Sequence, residues 1–158
     1  MREIDRIRGQ LRSALEANAW HGPALLETLS DVAADEARAR PNSEVHSIWE
    51  LVLHITAWVR SGISGTTGKR IDVPDDLDWP QPGEDSKAAW EDAMQDMKEA
   101  HRELDDVLSR TKDERLDETV VGRDYTVYKL LHGVIQHDLY HAGQIALLKK
   151  LWRSVQKA

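Results

Sequence analysis

Apolar residues recur at helical spacing in four stretches, separated by polar or Gly/Pro-rich segments. In residues 3–17, Ile4, Ile7, Leu11, Ala14 and Leu15 share one face. Ser47-Ile48-Trp49-Glu50 has the capping-box pattern and opens a helix over 48–64, where Leu51, Val52, Ile55, Trp58, Val59 and Ile63 form a broad apolar face. Ser86 is a natural N-cap for a third helix reaching Arg110, with Trp90, Met94, Met97, Leu104 and Leu108 as its stripe. Thr126 caps a fourth, whose stripe is Val127, Leu130, Leu131, Val134, Ile145, Leu148, Leu151 and Trp152. Shorter helical pieces are predicted over 23–29 and within 30–40, after the break at Trp20-His21-Gly22-Pro23 and before Pro41. Gly62, Gly65 and Gly68 predict the end of the second helix. The segment 65–83 reads as a long loop with Trp79-Pro80 as a packing anchor, and 111–124 as an irregular connection. The expectation is an all-α four-helix bundle, one domain over 1–158, with a long crossover as its second connection.

Composition narrows the chemistry. The chain has no cysteine, so it carries no thiolate nucleophile, Cys-type zinc site or disulfide, which suits a cytoplasmic location. The net charge of −7 argues against nucleic acid as a partner. No run of about 18 apolar residues predicts a membrane span, and the charged start, Met1 to Arg6, does not read as a signal peptide.

The fourth stripe has a polar interruption. Carried through its middle, the apolar face passes over His137, His141 and Gln144, where a core would ordinarily place leucine. Residues four apart on a helix point the same way, so the two imidazoles stand one turn above each other. Buried polar groups need partners, and a divalent ion would satisfy both. His54, on the edge of the second helix's face, is the candidate third ligand. Three imidazoles from two helices leave open coordination, which separates a catalytic ion from a closed structural one. The competing reading is three polar core residues with no metal.

The segments Ser47 to Ile55 and His137-Asp138-Leu139-Tyr140-His141-Ala142-Gly143-Gln144-Ile145 closely resemble the two signature segments of the DinB-like superfamily. Trp20-His21-Gly22-Pro23, Trp90 and Leu131-His132-Gly133 extend the resemblance over nearly the whole chain. It implies a four-helix bundle with a right-handed crossover, a homodimer, and a divalent metal (Zn, Ni, Mn or Fe) on His54, His137 and His141. Characterised enzymes similar to this family include thiol-dependent S-transferases and an isomerase in which the metal activates a small thiol. The resemblance therefore implies a small-molecule substrate and, with no cysteine in this chain, a low-molecular-weight thiol as cosubstrate. A metal-dependent hydrolase using water, and a non-catalytic metal-stabilised ligand-binding or stress-response bundle, use the same site and remain open.

Around the triad, Gln144 is placed to touch a ligand or substrate. Glu50 stands one turn before His54 and can orient it, although the capping box already accounts for it. Tyr140 and Tyr128 are candidate acids or packing residues. Trp20, Trp49 and Trp58 are candidates for an apolar pocket, with core packing the default. Asp138 can support a neighbouring histidine or lie at an interface. His21, His46, His101 and His132 read as surface or loop residues, and the acidic pairs at 35–36, 105–106 and 113–114 as solvated faces.

Overall fold

The computed structural model describes residues 1–157, the side chains of Asp75 and Asp76 aside. Its helices are α1 (Glu3–Leu15), α2 (Leu25–Leu29), α3 (Ala34–Arg38), α4 (Ile48–Thr66), α5 (Asp75–Asp78), α6 (Lys87–Arg110) and α7 (Val127–Val155), with a 3-10 turn at Asp113–Asp117. The caps read from sequence form. Ser47 Oγ accepts the Glu50 amide at 3.2 Å while Glu50 accepts the Ser47 amide at 2.8 Å. Ser86 and Thr126 accept the amides of Ala89 and Lys129.

The four long helices α1, α4, α6 and α7 make the bundle. α4 packs on α6 and α7, and α1 packs on the same two from the opposite corner. Trp49 meets Trp90, Arg60 pairs with Asp96, and Gly62 lies beside Leu104, so α4 and α6 run parallel. Parallel neighbours cannot be joined by a tight turn. The connection 67–86 must travel back along α4, about 28 Å at 1.5 Å for each of its 19 residues, and it is the expected crossover. His54 facing His137 and Gly65 facing Leu130 make α7 antiparallel to α4.

Gly62 and Gly65 do not end α4, which continues to Thr66; Gly68, at φ +82°, follows its end. The two glycines instead admit α7. A Cβ on Gly65 would sit 2.5 Å from Leu130 Cδ2, and one on Gly62 would sit 3.0 Å from Val134 Cγ2. Backbone-close contact here holds α4 near the face of α7 that carries His137 and His141.

The acidic pairs are not simply solvated. One member of each is used by an element distant in sequence, where an aligned cation or free amide outweighs hydration. Glu36 is buried and accepts from Nε and Nη2 of Arg153 at 2.8 and 3.0 Å. Asp113 accepts the amides of Glu3 and Ile4 at 2.8 and 3.0 Å, capping α1, which has no side-chain cap of its own. Asp105 on α6 receives Arg8 through two bonds of 2.9 and 3.0 Å and Arg12 at 2.9 Å, tying α6 to α1. The Arg8 hydrogen bond holds the Asp105 carboxyl below its usual pKa despite partial burial. A depressed folded-state pKa contributes stability above the unfolded value near 3.9, lost as pH falls through the folded value. Asp105→Asn should therefore cost about 1–2 kcal/mol in urea unfolding at pH 7. The gap to wild type should close below about pH 4; a constant gap would mean that the carboxylate charge contributes nothing.

Candidate metal centre

The apolar face of α4 turns His54 inward, and α7 presents His137 and His141 one turn apart. The result is a cluster of three Nε2 atoms. His137 Nε2 lies 3.0 Å from His54 Nε2 and 3.1 Å from His141 Nε2, and ligating atoms of all three lie within 4.8 Å of one another. Among the described residues this is the one group of three or more His, Asp or Glu placed to share an ion. The spacing is close to the roughly 3.3 Å expected between nitrogens bound tetrahedrally to zinc at 2.0–2.1 Å.

Two of the rings have their outer nitrogens committed. His54 Nδ1 lies 2.6 Å from the carbonyl oxygen of Asp78, and His141 Nδ1 lies 2.6 Å from Oε1 of Gln144. Both contacts need N–H at Nδ1, which leaves a lone pair on each Nε2. His137 stands between two such lone pairs and has one proton at most to offer while neutral. Its own Nδ1 is buried without a partner. Protonation of the cluster is disfavoured. Burial, reinforced by its two histidine neighbours, lowers the His137 pKa to about 3. Burial lowers His54 and His141 as well, against the opposing pull of Asp78 and Gln144 respectively. Three converging imidazole nitrogens whose protonation is disfavoured fit a soft-to-borderline divalent cation.

The crossover supplies the rest of the centre. Asp78 Oδ1 accepts Trp58 Nε1–H at 2.7 Å, and the Trp79 ring stacks on His54 at 3.8 Å and 4°. His46 stacks on Trp79 in turn at 3.6 Å. Trp79, in the segment read as a packing anchor, holds the loop by stacking on His54. A cavity of about 540 Å³ opens beside the triad, lined by all three histidines with Trp58, Tyr125, Lys129, Gly133 and Tyr140 among others. A larger one, about 910 Å³, lies by α3 and the start of α6 near Arg38, Asp85 and Trp90, away from the ligating cluster. The smaller cavity is the one that chemistry at the triad can use.

Other expectations sort by position. Gln144 touches His141, and Tyr140 is exposed at the cavity rim with its ring edge-on to His141 at 5.0 Å. Glu50 does not orient His54: its oxygens serve the Ser47 amide and Arg40, and Asp78 fills the orienting role. Trp20 is fully exposed beyond α1 and is not among the residues lining the cavity beside the triad, because the chain breaks there before the bundle can cover it. Trp49 is core; Trp58 lines the cavity. Tyr128 is exposed beside His132. His101 is the clear correction among the histidines. It is buried in the bundle, where Nε2 meets Asp138 Oδ2 at 3.1 Å and Nδ1 donates to the Met97 carbonyl at 2.8 Å. Asp138 therefore hydrogen-bonds His101 rather than a histidine of the triad.

With this geometry in view, the chain falls into the class of all-α bundles bearing a three-histidine site on two facing helices. A profile of the DinB superfamily matches residues 4–145, and the chain belongs to that superfamily. No curated protein and no solved structure matches it. No helix among the described residues is long and apolar enough to cross a membrane.

Proposed function

We propose that this protein is a metal-dependent enzyme of the thiol S-transferase type, with His54, His137 and His141 holding the ion and a small molecule entering the adjoining cavity. The observation that carries the reading is the open side of the triad. All three histidines line a cavity of about 540 Å³, whereas a structural zinc is enclosed by four protein ligands. A divalent ion held there supplies a Lewis acid that lowers the pKa of a thiol or water taking the open position. The chain's own residues set up that position. Asp78 and Gln144 fix the two outer imidazoles in the tautomer that turns Nε2 inward, and Trp58, Trp79 and Tyr140 limit water around it. With no cysteine in the chain, the nucleophilic sulfur comes from a cosubstrate.

The test is a turnover screen of zinc-, nickel- and manganese-loaded protein with electrophilic substrates, with and without low-molecular-weight thiols. Thioether formation that needs both thiol and metal supports the reading. Turnover that is metal-dependent but indifferent to thiol would replace it with hydrolysis. No turnover under any pairing, with metal bound, would leave a binding protein.

Gln144 gives a separate check on the ligand set. Gln144→Leu should weaken zinc affinity about 10–100-fold, the usual cost of losing a partner behind a metal-bound imidazole, with little change in metal-free stability. Competition against a chromophoric chelator measures it, and an unchanged affinity would show that Gln144 does not position His141.

A further inference from the structure

The cavity beside the triad has a direction, set by a single row on α7. Lys129, Gly133, His137 and His141 are spaced four apart, so they stack along one stripe, and all four line the cavity. At 1.5 Å per residue, Lys129 stands about 12 Å along the axis from His137. Between them Gly133 offers no side chain. It lies within the helix, where glycine is the poorest former after proline, and an added Cβ there would meet nothing within 4 Å. No close packing requires a glycine at this position, unlike Gly62 and Gly65. What its bare backbone provides is the floor of a channel from the histidines to Lys129, walled by Tyr125, Leu130, Val134 and Tyr140.

The two ends differ in charge. At the histidine end, Asp78 places a carboxylate 3.3 Å from His54 Nδ1, held by Trp58. At the far end the Lys129 ammonium lies over the Tyr125 ring, 5.8 Å from its centroid, and no carboxylate among the described residues lies within 4 Å of it. An exposed lysine at the mouth of an apolar channel is a point charge suited to an organic anion.

We propose that the channel binds an elongated amphiphilic anion, its apolar body lying over Gly133 and its carboxylate, sulfonate or phosphate on Lys129, with the other end at the histidines. The assignment of that other end as the reacting end rests on the function proposed above; the binding itself does not.

The experiment titrates 6-phenylhexanoate and the uncharged 6-phenylhexan-1-ol into the full chain, zinc-loaded and metal-free, following the indole N–H resonances of Trp58 and Trp79. Metal content is measured on the same samples. Wild type should bind the carboxylate about tenfold more tightly than the alcohol. Lys129→Gln should remove that preference and leave the alcohol unaffected. Gly133→Leu should weaken both ligands at least tenfold with no fall in Tm, since the site is open and leucine favours helix. Unchanged binding in Gly133→Leu would overturn the channel. A carboxylate preference that survives Lys129→Gln and disappears in His137→Ala would overturn the lysine assignment and put the anion on the metal. Failure to take up any ion, with the Lys129-dependent preference intact, would remove the metal reading and leave the channel standing.

Discussion

His137→Ala should abolish metal binding. Purified without a histidine tag and incubated with zinc, nickel or manganese, wild type is expected to carry about one ion per chain by elemental analysis, and the variant almost none. His137 Nε2 lies 3.0 and 3.1 Å from the Nε2 atoms of the other two, so its loss leaves two nitrogens on separate helices rather than a weakened triad. The same substitution should uncouple stability from metal. An ion that binds only the folded chain adds about 4 kcal/mol at a thousandfold excess over Kd. For a domain of this size that corresponds to a rise in Tm on the order of 10 °C. Zinc should produce such a rise in wild type and none in the variant, whose metal-free Tm should stay close to that of the metal-free parent. Wild type that takes up no ion under any of these conditions would sink the enzymatic reading, and the histidines would then be polar core residues.

The second large effect lies behind the site. His101 and Asp138 join α6 to α7 across the bundle, and both are almost completely buried. Burial alone lowers the His101 pKa, but the Asp138 carboxylate and the Met97 carbonyl more than offset it, and the net shift is upward. Both ring nitrogens face acceptors, the arrangement that satisfies an imidazolium. Asp138→Ala strips the charge from one side and leaves His101 buried against a void. Breaking a buried pair in this way costs about 3–5 kcal/mol, and urea unfolding at pH 7 should show a loss of that order. The double variant His101→Leu/Asp138→Leu should recover most of it, because apolar residues of similar volume replace a buried pair at little or no cost. Should Asp138→Ala unfold within about 0.5 kcal/mol of wild type, the pair has no part in stability. Since Asp138 lies between His137 and His141 in sequence, zinc affinity of the variant would also report whether the pair holds that turn of α7 in place.

Much of this was legible in the chain. A buried stripe at helical spacing dictates a helix whatever it packs against, and three of the four long helices have caps of their own in the adjacent residues. His137 and His141 had to share a face, because that geometry is internal to one helix. The length and loop-like composition of 65–83 already implied a crossover. The sequence alone thus determined the helices, their inward faces and the pairing of His137 with His141 on one face.

Only the tertiary structure decided what each inward face meets. Nothing local joins His54 to a residue 83 positions away; the close approach at Gly62 and Gly65 does that, and the same glycines read locally as helix stops. Asp78 and Trp79 became partners of His54 because parallel α4 and α6 force the connecting chain back over it. Glu50, one turn from His54 in sequence, was drawn off by Ser47 and Arg40. His101, Glu36, Asp105 and Asp113 stand in charged stretches that read as solvated, yet each has its partner on another element. The physical reason is common to all of them. Periodicity records which side of a helix leaves water, whereas hydrogen bonds and metal sites depend on which atoms arrive opposite, and that is fixed only when the helices pack.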